Sequence, residues 1–171
     1  MEKLIKSDGW AFAFNKKDEA KLLKIISTLS EKYLDGKLFL PHITCFGSTV
    51  SSETENNKLI KAIKKIKPFK IKLNKISFEK KLFKTLFIEA EPNHEMSEVL
   101  KIFEKVFAQK FDFNLHISLI YKEDLDFAER EKLANLIEFP KIVEVNALLR
   151  YTNDSSAANF AKWETERIKF E

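Results

Sequence analysis

The 171-residue sequence predicts an α+β fold of two related halves with mainly antiparallel sheets. Three observations indicate this class. The predicted order of elements is rich in strands, and it nearly repeats a strand–helix–strand–helix unit. The whole chain contains only three Gly and four Pro, so no flexible linker separates the halves. We therefore expect residues 1–171 to form a single domain of two closely packed lobes.

The first half contains four predicted elements. The alternation of Trp, Ala and Phe over residues 10–14 predicts a buried strand. Apolar residues at helical spacing predict a helix over 18–34, and Asp-Gly then turns the chain into an apolar strand at 38–46. The sequence Ser-Ser-Glu from position 51 begins a second helix, which we expect to end at Pro68.

The second half repeats this pattern with additional strands. Pro92-Asn93 marks the start of its first helix. The remaining predicted elements are strands at 69–78, 82–90 and 113–120, a helix at 124–137, and strands at 141–149 and 160–170, with a loop at 153–157.

Composition limits the class of function. Hydrophobic residues make up 44% of the chain and the net charge is +4, but no run approaches the roughly 18 apolar residues of a membrane span. The first six residues of this sequence lack the long apolar stretch of a secretory signal, so we expect none, and a single cysteine excludes an internal disulfide. We expect a cytoplasmic monomer without a membrane partner.

The basic residues are concentrated in one segment. Between Lys61 and Lys84 there are ten lysines and one acidic residue, Glu79. Such a segment attracts phosphates or nucleic acid at low salt, although a solvated surface has the same composition. The segment alone identifies no ligand.

A short motif occurs twice in the two apolar strands. The sequence His-Ile-Thr-Cys at 42–45 is matched by His-Ile-Ser-Leu at 116–119, and the chain has only three histidines. Because side chains alternate along a strand, His42 shares a face with Thr44, and His116 with Ser118.

Two imidazoles with adjacent hydroxyls suit acid–base chemistry on a phosphate ester. A histidine titrates near pH ~6.5, so one ring can take a proton from water while the other protonates the leaving oxygen. The hydroxyls of Thr44 and Ser118 can donate to the non-bridging phosphate oxygens.

Other sites are less well supported. A zinc site formed by the two histidines and Asp112 lacks the usual ligand spacing, and hydroxyls are poor zinc ligands. Cys45 alternates away from His42, which places it on the core side. The third histidine, His94, lies at a predicted helix start and is most simply a surface residue. We expect neither a metal nor another cofactor.

With these motifs the chain resembles the 2H phosphoesterase superfamily, the LigT-like proteins, and is most similar to their cyclic phosphodiesterase branch. The resemblance rests on Pro41-His42-Ile43-Thr44 and on the run from Leu115 to Tyr121. It implies two pseudo-two-fold-related lobes, flanked by helices, around a central cleft. It also implies catalysis by His42 and His116 without a metal.

The resemblance further implies a set of substrate contacts. Thr44 and Ser118 map onto the phosphate-binding positions, and Tyr121 matches an aromatic residue that follows the second motif. Phe83 and Lys84 lie where the branch has an aromatic residue followed by a polar pair. Phe83 could stack on a base or pack in the core.

The implied substrate is a small cyclic-phosphate nucleotide, either a nucleoside 2′,3′-cyclic phosphate or ADP-ribose 1″,2″-cyclic phosphate. Two alternatives stay open. One is cleavage or ligation of 2′–5′ linkages in RNA, which the lysine-rich segment favours. The other is a non-catalytic module that binds RNA ends.

Overall fold

The computed structural model describes residues 7–112, 114–153 and 164–171. Within these ranges the chain forms seven strands and four helices. The strands are β1 (Ser7–Phe14), β2 (Ile43–Thr49), β3 (Phe69–Ser77), β4 (Leu86–Ala90), β5 (His116–Ile120), β6 (Ile142–Asn153) and β7 (Glu164–Lys169). The helices are α1 (Lys16–Tyr33), α2 (Glu53–Ile63), α3 (His94–Phe107) and α4 (Phe127–Leu136). The predicted α+β class is confirmed.

The strands form one sheet in the order β1-β2-β5-β4-β3-β6-β7, in which the pairings are antiparallel. The long strand β6 pairs with β3 at its beginning and lies between β1 and β7 further along. Two sets of strands result, β2-β1-β6-β7 and β5-β4-β3. The two sets meet where β2 pairs with β5 and where β3 pairs with the beginning of β6. The two motif strands are therefore neighbours in the sheet.

The helices cover one face of the sheet, and the main hydrophobic core lies beneath them. Helix α3 contacts β2 and α1 contacts β5, so each half of the sheet receives a helix from the other half of the sequence. Trp10 and Phe46 pack against Phe103 of α3 with ring centroids 5.8 and 5.4 Å apart. The other face carries a smaller cluster of small side chains with Tyr151 at its edge. That second face also carries the polar motif residues.

Several predicted strands begin later than expected. The strands predicted at 38–46 and 113–120 begin at Ile43 and His116, so His42 immediately precedes β2. The strand predicted at 82–90 begins at Leu86, because Leu82–Lys84 form a 3-10 turn. The buried hydroxyl of Thr85 donates to the Leu82 carbonyl at 3.0 Å, and this local hydrogen bond competes with strand pairing.

Helix boundaries also differ from the prediction. The capping box between Ser52 and Glu55 confirms the predicted start of α2. The helix ends at Ile63 instead of continuing to Pro68, and short backbone bonds such as Ile66 N–H to the Ile63 carbonyl (2.9 Å) tighten its last turn. Helix α4 is likewise shorter than the predicted range of 124–137.

Two strands extend beyond their predicted bounds. Strand β1 begins three residues before the predicted start, and β6 runs to Asn153. The rest of the predicted loop at 153–157, and the first residues of the strand predicted at 160–170, lie outside the described residues.

Candidate active site

The two motif strands meet through a single residue pair, Ile43 of β2 with Ile117 of β5. Both isoleucines are fully buried against the helices. Their sequence neighbours therefore lie on the opposite face of the sheet. Continuing this antiparallel register by one residue on each side places His42 opposite Ser118 and Thr44 opposite His116. Directly opposed residues have Cβ atoms about 4.5–5.5 Å apart, so the four polar side chains form one group.

Both imidazoles are held by the same backbone contact. The Nδ1 atom of His42 lies 2.7 Å from the Leu40 carbonyl oxygen, and Nδ1 of His116 lies 2.6 Å from the Asn114 carbonyl oxygen. A carbonyl oxygen can only accept, so Nδ1 must carry the hydrogen in each ring. The neutral form of each ring then has its lone pair on Nε2, where it can accept a proton.

The electrostatics of the two rings favour their neutral forms. Desolvation lowers the pKa of His42, the Leu40 carbonyl opposes this, and the charge of His116 lowers the pKa further. Desolvation also lowers the pKa of His116, which is only 6% exposed. Since a positive charge on one ring disfavours a second positive charge beside it, the pair more readily carries one positive charge than two.

Charged groups lie close to His116. The Lys84 ammonium lowers the pKa of His116, whereas a hydrogen bond to the Phe83 carbonyl and the charge of Glu79 raise it. Lys84 Nζ lies 3.1 Å from a carboxylate oxygen of Glu79 and 5.5 Å from the centre of the Phe87 ring. The Phe87 ring in turn contacts His116 edge to face, with centroids 5.0 Å apart. Lys84 therefore lies beside the second motif, where the resemblance predicts a substrate contact.

The hydroxyl of Ser118 is committed to the backbone. It donates to the Phe83 carbonyl at 2.8 Å, and a serine has only one hydroxyl proton. The side chain of Tyr121 also bonds that of Ser118. Tyr121 is buried and stacks on Phe39 with centroids 4.2 Å apart. Although alternation along β5 places Tyr121 on the core side, the strand ends at Ile120 and the tyrosine reaches the motif hydroxyl.

Phe83 contributes to the group in two ways. Its ring contacts Tyr121 at 5.3 Å between centroids and is 38% exposed, while its carbonyl accepts the Ser118 proton.

Tyr151 is a site residue that sequence reasoning missed. Its hydroxyl bonds the Thr44 hydroxyl, and its ring lies 6.0 Å from that of His42. Burial raises the pKa of Tyr151 to about 12, so the phenol keeps its proton near neutrality. The ring lies directly over Gly9 of β1, where an added Cβ would come within 2.2 Å of it. Gly9 was the only available signal, since a glycine inside a strand often marks close packing.

The competing sites receive little support. Cys45 is buried on the core side, and burial raises the pKa of its thiol, which disfavours the thiolate. Asp112 and His94 are exposed. Among residues 7–112, 114–153 and 164–171, no three His, Cys, Asp or Glu side chains are grouped to hold a metal ion.

The fold and the paired motifs are those of a 2H phosphoesterase. The model of the cyclic phosphodiesterase-like protein family matches residues 10–161, so the chain belongs to that family. The family resemblance predicted from the two motifs is confirmed, and the chain is a member of a phosphodiesterase family.

Solved structures share the fold at low sequence identity. Escherichia coli LigT in complex with ATP superposes with a TM-score of 0.58 and 17% identity, covering 96% of this chain and 95% of LigT. LigT with 3′-AMP gives 0.57 and 13%, covering 96% of each chain. A protein of Thermus thermophilus gives 0.57 and 11%, covering 96% of this chain and 99% of its own. A search of curated proteins finds no match. In the described ranges, no helix has the length and apolarity needed to cross a membrane.

Proposed function

We propose that this protein hydrolyses a cyclic phosphodiester to a phosphomonoester by two-histidine acid–base catalysis without a metal. The observation that carries the proposal is the matched setting of His42 and His116. Each ring has Nδ1 bonded to the carbonyl two residues before it, and both lie on the same face of paired strands. The substrates we propose are a nucleoside 2′,3′-cyclic phosphate and ADP-ribose 1″,2″-cyclic phosphate.

The proposed reaction uses one neutral and one protonated imidazole. The neutral ring takes a proton from water at Nε2 as the water oxygen bonds to phosphorus. The protonated ring gives its Nε2 proton to the ribose oxygen as the P–O bond breaks. The products are a ribose hydroxyl and a phosphomonoester, and the histidines end with their protonation states exchanged. Which ring begins as the base depends on which ribose oxygen leaves.

The hydroxyls are proposed to bind the phosphate. Thr44 and Ser118 lie on the same face as the two rings. Thr44 can donate to a non-bridging oxygen, on which negative charge increases in the transition state, and Ser118 can do so once its proton turns from the Phe83 carbonyl to the phosphate. Lys84 adds a cation next to His116, and the partly exposed ring of Phe83 offers aromatic surface to the nucleoside. Tyr121 is buried, so its proposed role is indirect, through its hydrogen bond to Ser118. LigT, which shares the fold, has been crystallised with 3′-AMP and with ATP.

The test is turnover of defined substrates after removal of metals. Protein treated with EDTA is incubated with 2′,3′-cyclic AMP or with ADP-ribose 1″,2″-cyclic phosphate, and products are separated by chromatography. We expect conversion to the monoester by the wild-type protein and none by a His42→Ala/His116→Ala double variant. Absence of turnover with both substrates, or activity that requires added Zn²⁺, would contradict the proposal.

A second candidate substrate is an RNA end, because lysines extend along the motif face. On β3, Lys70, Lys72 and Lys75 are exposed, whereas the alternating Ile71 and Leu73 are buried. Strand β4 lies between β3 and β5, so this row is roughly 10 Å or more from the motif strand at the usual spacing of strands.

Two acidic side chains reduce the charge of this row. Lys72 lies 3.3 Å from Glu91 and Lys75 lies 4.0 Å from Glu89. These lysines are 66% and 71% exposed, and exposed ion pairs of this kind contribute little and exchange readily. The row can therefore bind phosphates of a longer substrate only in competition with its own carboxylates.

Salt dependence distinguishes the two substrate classes. If the lysines bind RNA phosphates, kcat/KM for an oligoribonucleotide ending in a 2′,3′-cyclic phosphate should fall steeply as the salt concentration rises. The value for 2′,3′-cyclic AMP should fall less steeply. Replacing Lys70, Lys72 and Lys75 with Gln is expected to remove this extra slope. Removing three exposed α1 lysines instead, Lys17, Lys21 and Lys24, is the matched control. Equal slopes for both substrates would contradict an RNA substrate.

The same assay tests the remaining alternatives. Cleavage of a 2′–5′-linked oligonucleotide in preference to the cyclic mononucleotide would indicate the ligase-like activity. Tight binding of the RNA end without turnover would indicate a non-catalytic module.

A further inference from the structure

Arg130 on α4 is a buried cation, and its charge helps to lower the pKa of Asp124. Its side chain is among the largest that are fully buried, with 1% of the residue exposed. Among the ion pairs of the described residues, none includes Arg130. A guanidinium in such a position requires other acceptors, because an uncompensated buried charge is strongly unfavourable.

Three backbone carbonyls supply those acceptors. Nε of Arg130 donates to the Leu125 carbonyl at 2.7 Å, and one terminal nitrogen donates to the Glu123 carbonyl at 2.5 Å. The other terminal nitrogen donates to the Glu79 carbonyl. The planar fork of an arginine can satisfy three fixed acceptors together, whereas a lysine ammonium at the same place cannot match this geometry.

The three carbonyls belong to the two segments that flank the second motif. Residues 79–85 form the segment that carries Phe83 and Lys84, and residues 121–126 form the segment that follows β5 and begins with Tyr121. We name these the 79–85 segment and the 121–126 segment. Thr85 links the same two segments, since its hydroxyl accepts the backbone N–H of Lys122 at 3.2 Å. The segments therefore share two buried polar connections.

A short chain of contacts joins Arg130 to the Ser118 hydroxyl. The carbonyl of Glu79 accepts from Arg130, and the N–H of Glu79 donates to the Lys84 carbonyl at 2.8 Å. The adjacent carbonyl, that of Phe83, accepts the Ser118 proton. Loss of the guanidinium would free the start of the 79–85 segment and so release the carbonyl that orients Ser118.

We infer that Arg130 is a positioning residue for the second motif. It holds the 79–85 and 121–126 segments so that the Phe83 carbonyl, Lys84 and Tyr121 surround His116 and Ser118. The hydrogen bonds of Arg130 reach these two segments and not the strand of the first motif, so we expect the geometry of that motif to be independent of the guanidinium. The inference rests on the proposed function and extends it to a residue outside the cleft.

A pair of double-mutant cycles tests this selectivity. Arg130→Met is combined with Ser118→Ala in one cycle and with Thr44→Val in the other, and kcat is measured with 2′,3′-cyclic AMP. We expect Arg130→Met to reduce kcat by roughly 10- to 100-fold, because small misplacements of catalytic groups have effects of this size. With Ser118→Ala the losses should be far from multiplicative, whereas with Thr44→Val they should multiply.

Equal coupling in both cycles would overturn the inference, since it would show a general loss of structure. An Arg130→Met variant with wild-type kcat would also overturn it. If Arg130→Met does not fold, the cycles are repeated with Arg130→Lys, which keeps the charge but cannot bond all three carbonyls. Thr85→Val, which removes the second connection between the segments, should couple to Ser118→Ala in the same sense.

A measurement independent of activity separates this inference from the proposed function. The imidazole resonances of His42 and His116 are followed by NMR in the wild-type protein and in Arg130→Lys. The His116 resonance should move while that of His42 stays in place, and the reverse result or equal shifts would contradict a selective role. Failure of the wild-type protein to turn over any cyclic phosphate would contradict the proposed function. The NMR comparison would still decide whether Arg130 positions the second motif.

Discussion

The two motifs of the candidate site have nearly the same sequence but different surroundings. Around the first motif, His42 and Thr44 are half-buried, and the hydroxyl of Thr44 bonds that of Tyr151. Around the second, His116 and Ser118 are 6% and 7% exposed, and Ser118 is bonded to the Phe83 carbonyl. The second motif also has the charges of Lys84 and Glu79 beside it.

This difference shows how one motif can supply two roles. Both imidazoles have the same Nδ1 contact, so the tautomer is determined locally in each strand. Burial, hydroxyl orientation and nearby charge are determined by distant segments, and these differ. We therefore expect similar losses of kcat from replacing either histidine and unequal losses from replacing the two hydroxyls. The nearby charges should act mainly on the pKa of His116.

The largest effect is expected from the histidines. His42→Ala or His116→Ala should each reduce kcat by roughly 10²–10⁴-fold, because each removes a proton-transfer group. The double variant should lose less than the product of the two, since both groups act on one transition state. Rates with 2′,3′-cyclic AMP provide the measurement, and His94→Ala is the control. Wild-type rates in either single variant would refute the assignment.

Removing the hydroxyls should affect kcat differently in the two motifs. Thr44→Val is expected to reduce kcat by about 10²-fold, the usual size for loss of one donor to a transition-state oxyanion. Ser118→Ala should reduce it by only about 10-fold, because Ser118 must first give up its 2.8 Å bond to the Phe83 carbonyl. Equal losses would show that substrate binding releases Ser118 from that carbonyl without cost.

The contrast also explains which features could be predicted from sequence. The chemistry of His42 and Thr44 depends on alternation within a few residues of one strand, so the motif is sufficient to place them on one face. The prediction of Tyr121 required the family resemblance, because alternation alone places it in the core. No local sequence pattern indicates the contact of Tyr151 with Thr44 or of Arg130 with Glu79, because each contact joins segments that are far apart in the chain.

The same reasoning applies to the fold. Apolar periodicity and capping residues predicted the order and class of the elements, which depend on local sequence. The strand predicted at 82–90 was wrong over its first residues because the Thr85 hydroxyl forms a local bond that favours a 3-10 turn. Such side-chain competition depends on burial of Thr85, which its neighbours in sequence do not reveal.

A smaller effect is expected at the first motif from Tyr151. Tyr151→Phe keeps the ring against His42 and removes the hydrogen bond to Thr44, a change of about 1 kcal/mol or roughly 5-fold in kcat. Gly9→Ala should have a similar effect, because its Cβ would displace the Tyr151 ring. The effects should not multiply in the double variant.

Gly36→Ala is the control for Gly9→Ala, since nothing lies within 4 Å of the added Cβ, and its only cost is the backbone strain of an alanine at φ +78°. Unfolding followed by circular dichroism separates a loss of stability from a loss of rate. Gly9→Ala with an unchanged rate would show that the ring position does not matter to Thr44.

The smallest change expected is a displacement of the pH profile. The reaction needs one neutral and one protonated ring, so kcat/KM should be bell-shaped in pH. Because the surroundings lower the pKa of both His42 and His116, the protonated ring is lost at lower pH than usual, and the alkaline limb should lie below about pH 6.5. Lys84→Met removes a cation that disfavours the imidazolium of His116, so the limb that reports His116 should move to higher pH. Glu79→Gln should move it to lower pH.

Lys81→Met removes an exposed lysine that pairs with the same Glu79 at 3.7 Å and does not act on His116, so it is the matched control. Movement of the limb to lower pH in Lys84→Met would mean that Lys84 acts on the substrate instead of on the ring.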